Sequence, residues 1–188
     1  MIGRWWARTF ESLQDPRFRI LWIGTSLSFI AFMMSWTAQS VVAFDLAGTN
    51  KAVGIVSLGS GLSMLIVGPM GGVLADRFSK RRLLLLGQSM VALVFLGIGV
   101  PILTDTITIV LLVVMTFVMG VAFSFTGPTR QAYVGELVPK AQLPNAAAVN
   151  QIPMTVSRVV SPLLAGVLIG IGAIGAGGTF LIMAGLFV

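Results

Sequence analysis

The chain has 188 residues, of which 56% are hydrophobic and only 10% are charged, and its mean hydropathy is +0.99. Soluble globular domains are much less apolar, so the composition predicts an integral membrane protein. The sequence holds no cysteine and no histidine, which excludes disulfides and thiolate metal sites and removes the commonest metal ligand and neutral-pH general base. We therefore expect no metal site, no cofactor and no enzymatic activity.

Six apolar runs follow one another, most of them close to the roughly 20 residues that a helix needs to cross a hydrocarbon layer. The predicted fold is an all-α bundle of six transmembrane helices in one domain. The predicted spans are residues 18–44, 53–75, 83–103, 107–125, 146–171 and 174–188. The last span is short, so we expect a truncated sixth helix and a natural chain that continues beyond it. The connection Gly127–Pro144 is expected to be a loop with a short surface helix.

The net charge of +6 is distributed as a topology signal. Cations precede the first span and fill the connections after the second and fourth, whereas the other connections carry few. They are Arg4, Arg8, Arg17 and Arg19, then Arg77, Lys80, Arg81 and Arg82, then Arg130 and Lys140. The positive-inside bias therefore predicts that the N-terminus and these connections lie in the cytoplasm. Nucleic-acid binding would need a basic face on a soluble domain and is not expected. Trp5, Trp6 and Trp22 suit interfacial anchoring of the first span.

The second and fifth spans contain similar segments, VGPMGGVL (Val67–Leu74) and VSPLLAGVL (Val160–Leu168). Each is in the second helix of a triplet. Because three is odd, the two triplets would cross the membrane in opposite directions, as in the inverted repeats of secondary transporters. The alternative is that both segments reflect only the general frequency of Gly and Pro in membrane helices.

The turn between the second and third spans carries GGVLADRFSKRR, Gly71–Arg82. This segment resembles the G-x-x-x-D-R-x-G-R/K-R/K pattern of the major facilitator superfamily, with Ser79 where the family usually has Gly. The matching residues are Gly72, Asp76, Arg77, Lys80 and Arg81. The resemblance implies a loop that latches the two halves of a transporter on the cytoplasmic side. Gly72 and Asp76 share one helical face, so Gly72 is expected to admit a neighbouring helix. A basic loop that only sets topology is the alternative.

The fifth span contains NQIPMTVSRVVSPLLAG, Asn150–Gly166, which resembles the G-x-x-x-G-P-x-x-G-G pattern of the superfamily's drug antiporters. The matching positions are Ser157, Ser161, Pro162, Ala165 and Gly166. Three glycines of the pattern are replaced by Ser or Ala, which are still small enough for close helix contact. Together with GPTRQAY and Leu137–Gln151, this segment resembles the branch that holds siderophore and macrolide exporters.

Arg158 falls near the middle of the fifth span, where a cation costs about 2.5–3.5 kcal/mol on insertion scales. We expect it to face the bundle interior and to pair with substrate, a polar neighbour or an acid. A fixed interhelical contact is the alternative. Gln151, Thr155 and Arg158 share one helical face, and Asn150 is adjacent, so these four residues are candidates for the substrate path.

The first span carries a second polar stripe at helical spacing. Its members are Thr25, Ser28, Phe32, Ser35 and Gln39. Ser35 and Gln39 are further candidates for the substrate path. The alternative is that Ser and Thr hydroxyls only bond the backbone of their own helix.

The resemblance implies that residues 1–188 are the N-terminal half of a twelve-helix transporter, a bundle built as a 3+3 inverted repeat. The implied activity is proton-coupled efflux of a small amphipathic compound, drug or siderophore-like, across a bacterial plasma (inner) membrane. Its partners would be the substrate, protons, the bilayer and the missing C-terminal half. A solute importer, and a non-transporting assembly partner or sensor, are the alternatives.

Proton coupling is the least supported part of this expectation. No Asp or Glu is deep inside a predicted span. Many members of the family have Arg four residues before a Gly in the fourth helix, whereas here Thr116 precedes Gly120. Coupling would therefore use an acid in the missing half, or Asp45 at the end of the first span.

Overall fold

The computed structural model describes residues 15–187, except for the side chains of residues 73–76. Arg4, Trp5, Trp6, Arg8 and the side chain of Asp76 are therefore outside the described residues. The described chain forms six α-helices and one 3₁₀ turn, with no strand. The helices are α1 (Pro16–Ala47), α2 (Asn50–Arg77), α3 (Lys80–Leu103), α4 (Ile109–Leu137), α5 (Leu143–Gly170) and α6 (Gly175–Phe187), and the turn is Lys140–Gln142.

Five of these helices, α1 to α5, are long and apolar enough to cross a membrane, and α6 is a shorter apolar helix of 13 residues. Large apolar side chains cover the outside of the bundle, among them Leu65 and Val159, which are 78% and 77% exposed. Exposed apolar surface on this scale is unfavourable in water and favourable against lipid. The prediction of an all-α membrane bundle is confirmed.

Local sequence explains where α1 begins and ends. The Asp15 carboxylate accepts hydrogen bonds from the backbone N–H groups of Arg17 and Phe18, at 2.7 and 3.3 Å, and Pro16 occupies the first turn. Both features are typical of a helix start. At the other end, Gly48 adopts φ 63° and donates its N–H to the Phe44 carbonyl at 2.7 Å. Glycine adopts this left-handed conformation without the cost that a side chain would add.

The predicted loop Gly127–Pro144 is wrong, because α4 continues through Gly127 and Pro128 to Leu137. Pro128 has no N–H and leaves the Ser124 carbonyl without its helical donor. Gly71 of α2 packs directly on that carbonyl, and a Cβ placed there would lie 2.0 Å from the oxygen. A neighbouring helix therefore supports the proline inside α4, as is common in membrane bundles. The connection to α5 shrinks to two residues and the 3₁₀ turn.

The helices pair in a symmetrical pattern. The principal contacts are α2 with α4, α1 with α5, α3 with α6, α3 with α4, and α1 with α6. Exchanging the first triplet of helices with the second converts α2–α4 into α5–α1 and α3–α4 into α6–α1, so the pattern maps onto itself. This arrangement is consistent with two inverted triplets in one bundle.

Two apolar clusters hold the bundle together. The larger one lies between α1, α3, α4 and α6, where the ring of Phe95 meets those of Phe180 and Phe187 at centroid distances of 6.1 and 5.4 Å. The smaller one includes Phe18 and Val149 and joins α1, α4 and α5 where α1 begins. The helices α3 and α6 pack against one side of α1 and α4. Another side of α1 and α4 faces α2 and α5 across an open cavity.

Candidate functional site

A cavity of about 910 Å³ opens between α1, α2, α4 and α5. Its volume is that of a site for a drug-sized ligand. Apolar groups form most of its lining, including four aromatic and four methionine side chains, with amides, hydroxyls and two guanidinium groups among them. The chemically distinctive lining residues are Phe29, Phe32, Trp36, Phe123, Met33, Met64, Met119, Met154, Gln39, Gln131, Asn150, Gln151, Arg130 and Arg158. No Asp or Glu belongs to the lining that the structure describes.

The apolar side of the cavity is an aromatic wall, which consists of Phe32 and Trp36 of α1 and Phe123 of α4. Phe32 stacks on Phe123 at a centroid distance of 3.6 Å and an interplanar angle of 20°. Phe32 also meets the edge of Trp36 at 6.1 Å. Such ring contacts add stability beyond the area that they bury. They join α1 to α4 and present ring surface towards the cavity.

Arg130 of α4 is one of the two cations that line the cavity. Sequence reasoning placed Arg130 in a cytoplasmic loop, which is wrong, because the longer α4 carries it into the bundle. Its side chain is only 6% exposed, and Cζ lies 5.0 Å from the centroid of the Phe29 ring. A guanidinium over an aromatic face gains a cation–π attraction. The structure shows no hydrogen bond or ion pair between Arg130 and another described side chain.

Arg158 of α5 is the second cation of the cavity. It is exposed and lines the cavity near the middle of α5. The structure gives Arg158 no hydrogen bond or ion pair with the described residues, so a fixed interhelical contact within this part of the chain is not observed. The expectation that Arg158 faces the inside of the bundle agrees with this position.

The two predicted polar stripes are only partly brought to the cavity. Asn150 and Gln151 line it beside Arg158, but Thr155 does not, and its hydroxyl donates to the Gln151 carbonyl of its own helix at 3.1 Å. In α1, Gln39 lines the cavity, whereas Ser35 is buried and donates to the Phe32 carbonyl at 2.7 Å. Hydroxyls of this kind satisfy themselves locally. Thr25 and Ser28 are also buried away from the cavity.

A neutral contact is formed at Thr116, where the family resemblance led us to look for an arginine. Thr116 of α4 donates to the Gln39 Oε1 atom at 3.1 Å and also to the Leu112 carbonyl at 2.7 Å. Gln39 Nε2 lies 3.7 Å from Met119 Sδ. Gln39 is therefore held against α4 while it lines the cavity. Sequence reasoning singled out both Gln39 and Thr116 but did not pair them.

An interhelical hydrogen bond sets α5 against α1. Trp22 Nε1 donates to the Val149 carbonyl at 2.9 Å. That carbonyl lacks its own helical donor because the residue four positions later is Pro153. Trp22 is therefore a partner of α5. The bond fixes the turn of α5 that carries Asn150 and Gln151.

The antiporter-like residues of α5 divide into two groups. Ser157, Ser161 and Ala165 are buried in the bundle, as close helix packing requires, and α5 packs chiefly against α1. Pro162 and Gly166 are exposed, and nothing lies within 4 Å of a Cβ built at Gly166. The hydroxyl oxygens of the two serines have no hydrogen-bond partner among the residues that the structure describes. Only the buried group acts in packing within the described chain.

The loop between α2 and α3 and the helix end before it contact α4. A Cβ at Gly72 would meet nothing within 4 Å among the described residues, whereas a Cβ at the adjacent Gly71 would overlap the Ser124 carbonyl of α4. Arg77 and Arg81 are exposed. Lys80 at the start of α3 forms an ion pair with Glu136 near the end of α4. The loop is thus tied to α4 of its own half.

Comparison with known proteins identifies the family. The transmembrane secretion effector family of the major facilitator superfamily matches residues 7–188. This chain belongs to that family. It is 25% identical over 172 residues to the enterobactin exporter EntS of Salmonella typhimurium, an alignment that covers 88% of this chain and 42% of that protein. It is 24% identical over 163 residues to macrolide efflux protein A of Streptococcus pyogenes, covering 85% and 40%. The predicted likeness to siderophore and macrolide exporters is confirmed, and the chain spans about two fifths of these relatives.

Proposed function

We propose that this chain is the six-helix N-terminal half of a secondary transporter that exports a small amphipathic compound by alternating access. The cavity carries the proposal, because it joins an aromatic wall to guanidinium and amide groups in one open space between four helices. An amphipathic compound needs an apolar surface for its body and partners for its polar group. The second half would close the cavity from the opposite side.

Export is favoured over import by the relatives, whose names describe an exporter and an efflux protein. The test uses the protein expressed from its complete coding sequence in inverted and right-side-out membrane vesicles. Three fluorescent amphipathic compounds, one anionic, one neutral and one cationic, serve as probes. Energised inverted vesicles should accumulate at least one of them. Uptake confined to right-side-out vesicles would instead indicate an importer, and no flux in either would favour an assembly partner or sensor.

Arg158→Ala tests whether the cavity takes part in transport. Because Arg158 lies on the cavity and makes no observed contact with the described residues, its loss should leave membrane insertion normal and abolish transport. Lys140→Ala, which removes an exposed cation of the α4–α5 turn, is the matched control and should transport normally. Wild-type flux in Arg158→Ala would show that the cavity of this half does not contact the substrate.

The coupling ion in this proposal is the proton. Since no acid lines the described part of the cavity, the coupling carboxylate would lie elsewhere, either at Asp45 or in the missing half. Asp45→Asn should then allow downhill flux but not accumulation against a gradient, if Asp45 is the coupling group. Accumulation that persists after a protonophore removes the proton gradient would refute proton coupling.

The proposed orientation places the N-terminus in the cytoplasm, in accord with the distribution of cations. Residues 1–188 contain no cysteine, so single substitutions test this orientation once any cysteine in the second half has been replaced. A membrane-impermeant maleimide should label Thr49→Cys, in the α1–α2 connection, in intact cells. It should label Ser79→Cys, in the α2–α3 connection, only after permeabilisation. The reverse pattern would invert the topology.

A further inference from the structure

Two cations face the cavity, and no Asp or Glu among the described residues lines it with them. Arg130 is on α4 and Arg158 on α5, and both belong to the lining of the same cavity. We infer that the cavity selects organic anions with an aromatic body, in which a carboxylate or a similar group pairs with these guanidiniums. The inference rests on the proposed transport function and adds to it the charge and shape of the substrate.

Arg130 is the stronger of the two observations. Its side chain is 94% buried, yet the structure shows neither an ion pair nor a hydrogen bond from it to another described side chain. Burial of a charge is costly unless it is paired and hydrogen-bonded. The Phe29 ring offsets part of that cost through its face. An anion that enters the cavity would supply the missing charge and accept hydrogen bonds from the planar guanidinium fork.

Arg158 extends the same preference along α5. It is exposed to the cavity, so it is accessible to a ligand without rearrangement of its neighbours. Asn150 and Gln151 line the cavity on the same helix, and their amide groups add further donors. A cationic ligand would meet two like charges and no carboxylate in the described lining. The electrostatics of this half therefore favour anions and oppose cations.

The rest of the lining defines the body of the anion. The stacked pair of Phe32 and Phe123 and the edge of Trp36 offer ring surface, on which a planar aromatic group would pack. Met33, Met119 and Met154 line the same cavity, and flexible thioethers adapt to ligands of different outline. An aliphatic anion would pair with the guanidiniums but leave the wall uncovered. The preferred ligand combines both parts.

The test measures binding rather than flux, so that it is separate from the test of transport. The full-length protein in lipid nanodiscs is titrated with radiolabelled naphthalene-2-carboxylate, naphthalene-2-carboxamide and 2-naphthylmethylammonium. These probes keep one ring system and differ mainly in the charge of the head group. We expect the carboxylate to bind about tenfold tighter than the amide, or more, as a charge-assisted hydrogen bond allows, and the ammonium to bind weakest.

Arg158→Gln and Arg130→Gln should each reduce the ratio of carboxylate affinity to amide affinity towards one. The affinity for the amide itself should be retained, and that result would also show that the variant is folded. Lys140→Gln, outside the cavity, should leave the ratio unchanged. Carboxylate affinity no higher than that of the amide, or a ratio unchanged in both Arg variants, would overturn the inference. A clear rise of the carboxylate-to-amide affinity ratio in Asp76→Asn would assign Arg130 to that acid in the wild-type protein and overturn its role as a cation without a partner. If the carboxylate preference is found without flux of any probe, the transport proposal fails and this inference stands.

Discussion

The Trp22–Val149 hydrogen bond allows a sharp test of how the bundle is held together. Pro153 deprives the Val149 carbonyl of its helical donor, and the Trp22 indole replaces it from another helix at 2.9 Å. Trp22→Phe retains an aromatic ring but removes the N–H. A buried carbonyl left without a donor costs about 1–3 kcal/mol in soluble proteins, whereas interhelical hydrogen bonds in membranes average about 0.6 kcal/mol. Because this bond is partly buried, we expect a loss of about 1 kcal/mol.

The same structure predicts how that loss can be cancelled. Pro153→Ala restores a backbone N–H four residues after Val149, so the carbonyl regains a donor within α5. In that background Trp22→Phe should cost about 0.5 kcal/mol less than in the wild type, which a double-mutant cycle isolates from the packing lost with the larger indole. Trp36→Phe is the control, since the structure shows no hydrogen bond from its indole to a described residue, and its cost should not depend on residue 153.

The assay is reversible unfolding of the full-length protein in mixed micelles, followed by far-UV circular dichroism so that the loss of a tryptophan does not affect the signal. Free energies of unfolding are compared for the wild type, both single variants and the double variant. If Trp22→Phe lowers the free energy of unfolding by the same amount with and without Pro153, the indole contributes only packing. That result would refute a stabilising role for the Trp22–Val149 hydrogen bond.

Three further predictions concern helix contacts and use the same measurement. Gly71→Ala should destabilise the protein by about 1–3 kcal/mol, because its Cβ would overlap the α4 backbone. Gly72→Ala should be neutral or up to about 1 kcal/mol stabilising, since its Cβ meets open space and Ala is the better helix former. Equal effects of the two substitutions would contradict this packing of α2 on α4. Lys80→Gln should cost at most about 1 kcal/mol, and only slightly less in a Glu136→Gln background, because the side chains of this ion pair are 24% and 55% exposed. A larger difference between the two backgrounds would show a stronger pair. Ser161→Ala should be neutral or stabilising, because its buried hydroxyl has no partner, and a loss above about 1 kcal/mol would reveal one.

Much of the architecture was predictable, because the apolar runs that cross a bilayer are long and charges mark their ends. The end of α4 was not. Gly127 and Pro128 are typical turn residues in local sequence terms, and their tolerance inside a helix depends on Gly71, more than fifty residues earlier in the chain. Local rules cannot represent a contact of that range. Because the sequence predicted that the fourth helix ends before Gly127, it placed Arg130 in a loop. Arg130 was therefore not recognised as a cation of the cavity.

The choice between neighbouring residues was equally beyond the sequence. The family pattern singled out Gly72, but the adjacent Gly71 makes the close contact. Consecutive helical residues differ by about 100° in direction, so a pattern can locate a helix face only when the rotation of the helix against its neighbours is known. Gln39 and Thr116 were recognised separately for the same reason, and only the packing of α1 on α4 brings them to 3.1 Å.

The prolines of the second triplet connect these packing details to the proposed mechanism. In α4 the carbonyl freed by Pro128 is covered by α2, and in α5 the carbonyl freed by Pro153 is bonded by α1. These are the two symmetry-related interfaces, α2–α4 and α1–α5, and the same four helices border the cavity. A half that rocks as a unit must keep its cavity walls fixed relative to one another. The contacts made at Pro128 and Pro153 meet that requirement, because they couple the two triplets where a proline would otherwise let each helix bend independently.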